Sequence, residues 1–174
     1  TAFTGALATF NASAVEGAVK ADIRSTVLAT VTTGKGADWI DMGNAVVAGT
    51  TVNLGAGNDT LLAGAQLANF AKVDGGDGDA DIINLTNGLT LAADAKLITG
   101  FEVLDVSGSA AKNYDVSLNN FATVQIDEAV NGALVGAVDF KNAADNFTLT
   151  VASKAATGAD FAVGKAITVT GKDY

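Results

Sequence analysis

The 174-residue sequence contains no cysteine, no proline and no histidine, and aromatic residues make up only 6% of it. Each absence removes a class of chemistry. Without cysteine there are no disulfides, no thiolate nucleophile and no zinc-thiolate centre. Without histidine these residues hold neither an H-E-x-x-H zinc helix nor a Ser-His-Asp triad. Without proline no position is barred from donating to a backbone ladder, which suits a chain that commits its N–H groups to strands. The few aromatics imply a thin core built from small aliphatic side chains. Basic residues are scarce too: 10 Lys and Arg face 19 Asp and Glu, a net charge of −9. Phosphate contacts need clustered Lys and Arg, so nucleic acid is a poor partner, and an anionic membrane surface is equally poor. These 174 residues read as containing neither a signal peptide nor an apolar run long enough to span a membrane. An acidic chain of this kind is better suited to recruiting divalent cations. The start at Thr1 and the abrupt stop at Tyr174, just after a strand-like run, read as a piece of a longer chain.

What is abundant is glycine, 20 residues of it, and its placement is periodic. Gly34, Gly55 and Gly76 are 21 residues apart, as are Gly36, Gly57 and Gly78. Val31, Val52 and Val73 keep the same spacing before them, and Ile40, Leu61 and Ile82 after them. The unit is a strand, a Gly-rich turn and a second strand opening on an aliphatic residue. Twenty-one residues make one coil of a solenoid with two or three short strands, each coil ~4.8 Å above the last. The spacing therefore predicts an all-β, right-handed parallel β-solenoid, with the two aliphatic series stacked inward and the glycines stacked at a corner. Phe101–Val106 and Phe121–Ile126 read as one strand repeated a coil later, with Val103 and Val124 continuing the series from Ile82. Tyr114–Leu118, Phe147–Val151 and Ala166–Thr170 alternate as further strands. Leu89–Leu97 and the stretch around Val15–Arg24 are the places where a short helical turn fits. The chain thus reads as a single solenoid segment over 1–174, with opening strands in 1–30, glycine repeats in 31–86 and continuing coils in 87–174.

The turns carry the chemistry. They read Thr33-Gly-Lys-Gly-Ala-Asp-Trp-Ile40, Leu54-Gly-Ala-Gly-Asn-Asp-Thr-Leu61 and Gly75-Gly-Asp-Gly-Asp-Ala-Asp-Ile82. Calcium takes six to eight oxygens, from carboxylates and backbone carbonyls. Glycine lets carbonyls of a tight turn converge, and an Asp two residues past the second glycine brings a carboxylate to the same place. The candidate ligands are Gly34, Gly36 and Asp38 in the first turn, and Gly55, Gly57, Asn58 and Asp59 in the second. The third turn offers Gly76, Asp77, Gly78, Asp79 and Asp81. In the third turn Ala80 occupies the expected Asp position, so Asp81 is read as facing the other side of its strand. Stacked Asp38 and Asp59, roughly 5 Å apart, repel by about 3 kcal/mol at an effective dielectric of 20, and a bridging cation reverses that sign. The alternative is an ordinary set of surface turns, in which Gly, Asn and Asp recur for backbone reasons alone. Lys35 inside the first turn must point its ammonium into solvent, and Asp145 marks a decayed fourth turn.

These turns resemble the calcium-binding nonapeptide G-G-x-G-x-D-x-U-x of RTX proteins. The order Val73-Asp-Gly-Gly-Asp-Gly, then Asp81-Ile-Ile-Asn-Leu, then Ile98-Thr-Gly-Phe-Glu-Val-Leu-Asp-Val-Ser-Gly108 resembles a recurring unit of bacterial S-layer proteins, as does Phe10-Asn-Ala-Ser-Ala-Val15. The likeness covers roughly residues 10–126. It implies type I secretion through a signal beyond this segment, calcium-dependent folding at the cell surface and lattice assembly with other copies of the chain. It further implies an anchor to outer-membrane polysaccharide through a region not present here. The expected role is structural rather than enzymatic: Val106-Ser-Gly-Ser-Ala110 only superficially suggests a nucleophile elbow. Two alternatives remain open, a calcium-binding module of a large secreted RTX adhesin and the non-catalytic β-roll tail of a type I secreted enzyme. An exposed flat Thr or aromatic face would favour the adhesin. Trp39 is read as covering a corner of the core, and Tyr114 and Phe121 as core or coil-end plugs.

Overall fold

The structure is a computed structural model and describes residues 2–43, 46–64, 67–110, 112–152 and 166–171. Period-two alternation in short runs of Val, Ile, Leu and Thr gives strands with one buried face, and every strand pairing among the described residues is parallel. The chain winds as a β-solenoid of about seven turns spaced about 21 residues apart. One sheet runs its whole length through β1 (Ala2–Gly5), β3 (Lys20–Ser25), β5 (Trp39–Asp41), β7 (Thr60–Gly64), β9 (Ile82–Leu85), β11 (Val103–Asp105), β13 (Thr123–Asp127) and β15 (Leu149–Ala152). A second sheet faces it over the first coils: β2 (Thr9–Asn11), β4 (Thr30–Thr32), β6 (Thr50–Asn53), β8 (Phe70–Asp74) and β10 (Ile98–Thr99). It stops at β10. A third sheet then takes over, formed by β12 (Lys112–Asp115), β14 (Val138–Ala143) and β16 (Ile167–Gly171).

The core is two aliphatic columns between the sheets. Phe10, Val31, Val52, Val73 and Ile98 are in register on one side, the three valines fully buried, as their spacing predicts. The facing column is Ala21, Ile40, Leu61, Ile83, Leu104, Val124 and Leu149. Its third large member is Ile83, not the expected Ile82, which points outward. The third turn carries one extra residue, so the step from Leu61 to Ile83 is 22. Val103 likewise sits beside Ile82 on the outer face, and Val124 pairs with Leu104 because the following coil is one residue shorter. Each fully buried Val, Leu or Ile adds about 1.5–3 kcal/mol of transfer free energy. Where the third sheet widens the coil, stacked aromatics fill it: Tyr114 and Phe140 are fully buried, and Phe140 lies 5.8 Å from both Tyr114 and Phe147.

The helical turn expected near Leu89–Leu97 is α1 (Ala92–Ala95), and a second turn, α2 (Glu128–Asn131), starts at an Asp127 side-chain cap. The stretch around Val15–Arg24 instead contains β3. Ala21 and Ile23 are buried while Lys20 and Arg24 are exposed, a period of two that a helix cannot satisfy. Among the described residues no helix is long and apolar enough to cross a membrane. The outer face of the second sheet is a grid of small uncharged side chains. Thr9, Thr30 and Thr51 are in register, as are Asn11, Thr32 and Asn53. The Lys72–Asp74 ion pair, 2.6 Å, closes this grid one coil later.

Candidate functional site

The glycine turns join β4 to β5, β6 to β7, and β8 to β9. Their glycines form two files because the backbones of successive coils nearly touch. A Cβ at Gly34, Gly55 or Gly76 would fall onto the carbonyl oxygen of Val15, Gly34 or Gly55, one coil before. A Cβ at Gly57 would lie 2.5 Å from the Gly36 carbonyl oxygen, and Gly57 also has φ +120°, which side chains other than hydrogen rarely adopt. The 21-residue glycine period is thus a steric consequence of coil spacing. Backbone bonds tie the turns together: Ala56 donates to the Gly34 carbonyl, and Asp77 to that of Gly55, both at 2.8 Å.

Inside this corner the acidic residues form a ladder. The Asp38 Oδ1 accepts the Val19 N–H at 2.6 Å, Asp59 Oδ1 accepts Asp38 N–H at 2.7 Å, and Asp81 Oδ1 accepts Asp59 N–H at 2.6 Å. Glu102 Oε2 accepts the Asp81 N–H at 2.9 Å and forms a fourth rung. Asp38, Asp59 and Asp81 are all at least 98% buried. The expectation that Asp81 faces the other way is therefore overturned. The same extra residue that moves Ile83 into the core carries Asp81, rather than Ala80, into the ladder, and Ala80 becomes the bulged-out spacer. Glu102 lies outside the expected set of site residues, although it follows Asp81 by 21 in the sequence.

The ladder is electrostatically incomplete. The second carboxylate oxygens of Asp38, Asp59 and Asp81 are buried and have no hydrogen-bond partner. Burial, with the like charges of Asp38 and Asp81 adding to it, lifts the Asp59 carboxyl to about 7, against a partial offset from the Asp38 N–H. Burial also raises Asp81, and Glu102, Asp74 and Asp79 push the same way. Both Asp81 oxygens turn towards Gly78. A Cβ there would lie 2.6 Å from Asp81 Oδ2 and 2.9 Å from Oδ1, and would also meet the Gly57 carbonyl oxygen. Carbonyl and carboxylate oxygens from successive coils thus converge at one place.

A second buried carboxylate, Asp105, gives an internal comparison. Its Oδ1 accepts from Asn84 Nδ2 at 2.6 Å and from both the N–H and the hydroxyl of Ser107, and its Oδ2 accepts from Asp127 N–H at 2.9 Å. Burial raises its pKa while these donors oppose the shift. Asn131 donates in turn to the Asn84 side-chain oxygen, and Ser109 shares a bond with the buried Tyr114 hydroxyl, which burial lifts to about 12. Ser107 and Ser109, the serines of the superficial elbow, are fully buried structural donors. This network was not foreseen: Asn84 and Asp105 keep the 21-residue step and are register partners, but Ser107, Ser109 and Asn131 lie outside that period.

The remaining candidates lie outside the ladder. Asn58, Asp77 and Asp79 are exposed, with Asn58 Oδ1 accepting the Asp79 N–H at 3.2 Å. Lys35 points out to Glu16 at 3.1 Å. Asp145 is exposed. Trp39 stands on the outer face of β5 with the Lys20 ammonium 4.5 Å above its ring, rather than over a core corner. Among the described residues no three Asp or Glu side chains come together as a metal-holding group, so a cation here needs backbone oxygens. In comparisons with known proteins, no family model, no curated protein and no solved structure matches this chain.

Proposed function

We propose that this chain is a structural, non-enzymatic segment of a secreted bacterial surface layer in which calcium ions sit between stacked Gly/Asp turns and rigidify the solenoid. The observation that carries the cation reading is the set of three buried, unpartnered carboxylate oxygens on adjacent rungs, Asp38, Asp59 and Asp81. An ion would be held by these carboxylates with glycine carbonyls such as that of Gly57, the donor set that calcium favours. The Asp105 network supports the same reading by contrast: there both oxygens of a buried carboxylate accept from the chain's own donors. The surface-layer role rests on the resemblance of motif order across residues 10–126. Calcium titrated into EGTA-stripped protein, followed by circular dichroism and melting temperature, tests the proposal. A rise in both is expected, and no change in either would sink it.

A specific observation favours a second reading, a module of a large adhesin. The second sheet presents a flat uncharged grid of Thr9, Thr30, Thr51, Asn11, Thr32 and Asn53. Self-assembly of the calcium-loaded chain into ordered arrays supports the lattice role. Calcium-dependent folding without assembly, together with retention on an immobilised surface that is lost in Thr30→Lys, supports the adhesin.

A further inference from the structure

The tight stacking that glycine imposes at the corner ends at Gly100. The next two turns there, residues 116–122 and 144–148, contain no glycine. Between them the coils part and leave a crevice of about 390 Å³. That volume lies in the range of small-molecule sites, about 300–1,000 Å³. Its walls combine Phe121, Phe147 and Val124 with Ser117, Asn142 and Thr148, and no charged side chain lines it in a chain of net charge −9.

Local structure converges on the same place. The register of β14 shifts between Phe140 and Ala143, a bulge that re-aims the side chains on it. Within that bulge, Asn142 is the one non-glycine residue with positive φ among the described residues, at 55°. Its Nδ2 donates to Asp115 Oδ2 at 2.6 Å, and the Ser117 hydroxyl donates to Asp115 Oδ1 at 2.6 Å. One carboxylate thus fixes two crevice side chains from behind and leaves the Asn142 amide oxygen and the Ser117 lone pairs as acceptors. Phe147 is braced against Phe140 at 5.8 Å.

We propose that this crevice binds a neutral sugar, free or as a unit of a neutral polysaccharide. Aromatic and aliphatic walls suit the C–H faces of a pyranose, and amides and hydroxyls suit its hydroxyl groups. A purely apolar ligand would strand those polar side chains, and an ionic one would find no partner charge. The contact belongs to this segment and is separate from any anchor expected elsewhere in a longer chain. The test uses methyl glycosides of glucose, galactose, mannose and N-acetylglucosamine, titrated to millimolar levels into the calcium-loaded, ¹⁵N-labelled chain, with glucuronate as the charged control. Saturable shifts at the Ser117, Asn142 and Thr148 amides with at least one neutral glycoside, weakened about tenfold in Ser117→Ala for a lost hydrogen bond, are expected. Phe121→Leu, which keeps the wall apolar but removes the ring, weakens binding in the same way. The exposed position of Ser117 keeps the first variant folded. Absence of shifts with every neutral glycoside, equal binding of glucuronate, or binding untouched by both variants overturns the proposal.

Discussion

Asp59→Asn in the metal-free protein is the sharpest test of the ladder. The substitution keeps an oxygen able to accept the Asp38 N–H, now bonded at 2.7 Å, and removes the charge. The Asp59 carboxyl is raised from 3.8 to about 7, first by burial and then by the neighbouring carboxylates. A carboxyl whose folded pKa lies above its unfolded one contributes stability that is fully present below pH 3.8 and is lost as pH rises through about 7. At 1.36 kcal/mol per pH unit the ionised form would destabilise the fold by about 4 kcal/mol, and water reaching the turn from its exposed side screens that to about 1–2 kcal/mol. In EGTA at pH 8, Asp59→Asn should therefore be the more stable protein, by about 2–8 °C in melting temperature for a chain of this size. At pH 4 the two should converge. With calcium the order should invert, because the wild type gains a ligand that Asn replaces poorly, and the binding stoichiometry should fall. Urea titrations at the two pH values, with and without calcium, read all four states. If Asp59→Asn is the less stable protein in EGTA at pH 8, the carboxylate is a net stabiliser through its hydrogen bond, and the reasoning from its unpartnered oxygen fails.

Gly57→Ala places a Cβ 2.5 Å from the Gly36 carbonyl oxygen at φ +120°, and should cost about 2–4 kcal/mol, whereas Gly132→Ala, with φ +79° but open space around it, should cost about 1 kcal/mol; melting temperatures of the pair separate close approach from backbone strain. Leu61→Ala removes a fully buried member of the central column and should cost about 2–5 kcal/mol by urea unfolding, with no change in calcium stoichiometry. Asn84→Ala strips Asp105 of a 2.6 Å donor and leaves Asn131 without its acceptor; a loss of about 1–3 kcal/mol is expected at pH 7, shrinking at low pH as Asp105 protonates.

The fold was legible because identical coils leave identical steric demands. Val31, Val52 and Val73 stack as their period requires, and the glycine files follow from carbonyls that nearly touch the next Cα. Legibility failed where the period slips. One extra residue around Ala80 moves Ile83 and Asp81 inward together, so fixed 21-residue counting misassigned both, while glycine spacing stayed undisturbed. A physical check was available in the sequence: Asp81 and Glu102 keep the period with each other even though Ala80 breaks it with Asp59. The Asp105 network was invisible for a different reason. Asn84 keeps the 21-residue period with Asp105 on the neighbouring strand, but Ser107, Ser109 and Asn131 come from positions after β11 and in α2 that repeat nothing.

The two buried carboxylate systems also divide the molecule. In a solenoid each coil is stabilised by its own contacts and those with its nearest neighbours, so a local defect stays local. The ladder from Asp38 to Glu102 spans the coils that share the second sheet, and the second oxygens of its three Asp carboxylates are buried without a partner. The coils beyond Asp105 use the third sheet, an aromatic stack of Tyr114, Phe140 and Phe147, and a carboxylate hydrogen-bonded by the chain's own donors. If calcium completes the ladder as proposed, the stability of these later coils should be independent of it. On the calcium reading proposed above, EGTA should loosen the glycine-turn coils first and leave the Asp105 coils protected, which amide hydrogen exchange would read coil by coil. The glycines that make the ladder possible by bringing coils together also stack like charges, so the unpartnered oxygens of Asp38, Asp59 and Asp81 fall where the coils approach most closely.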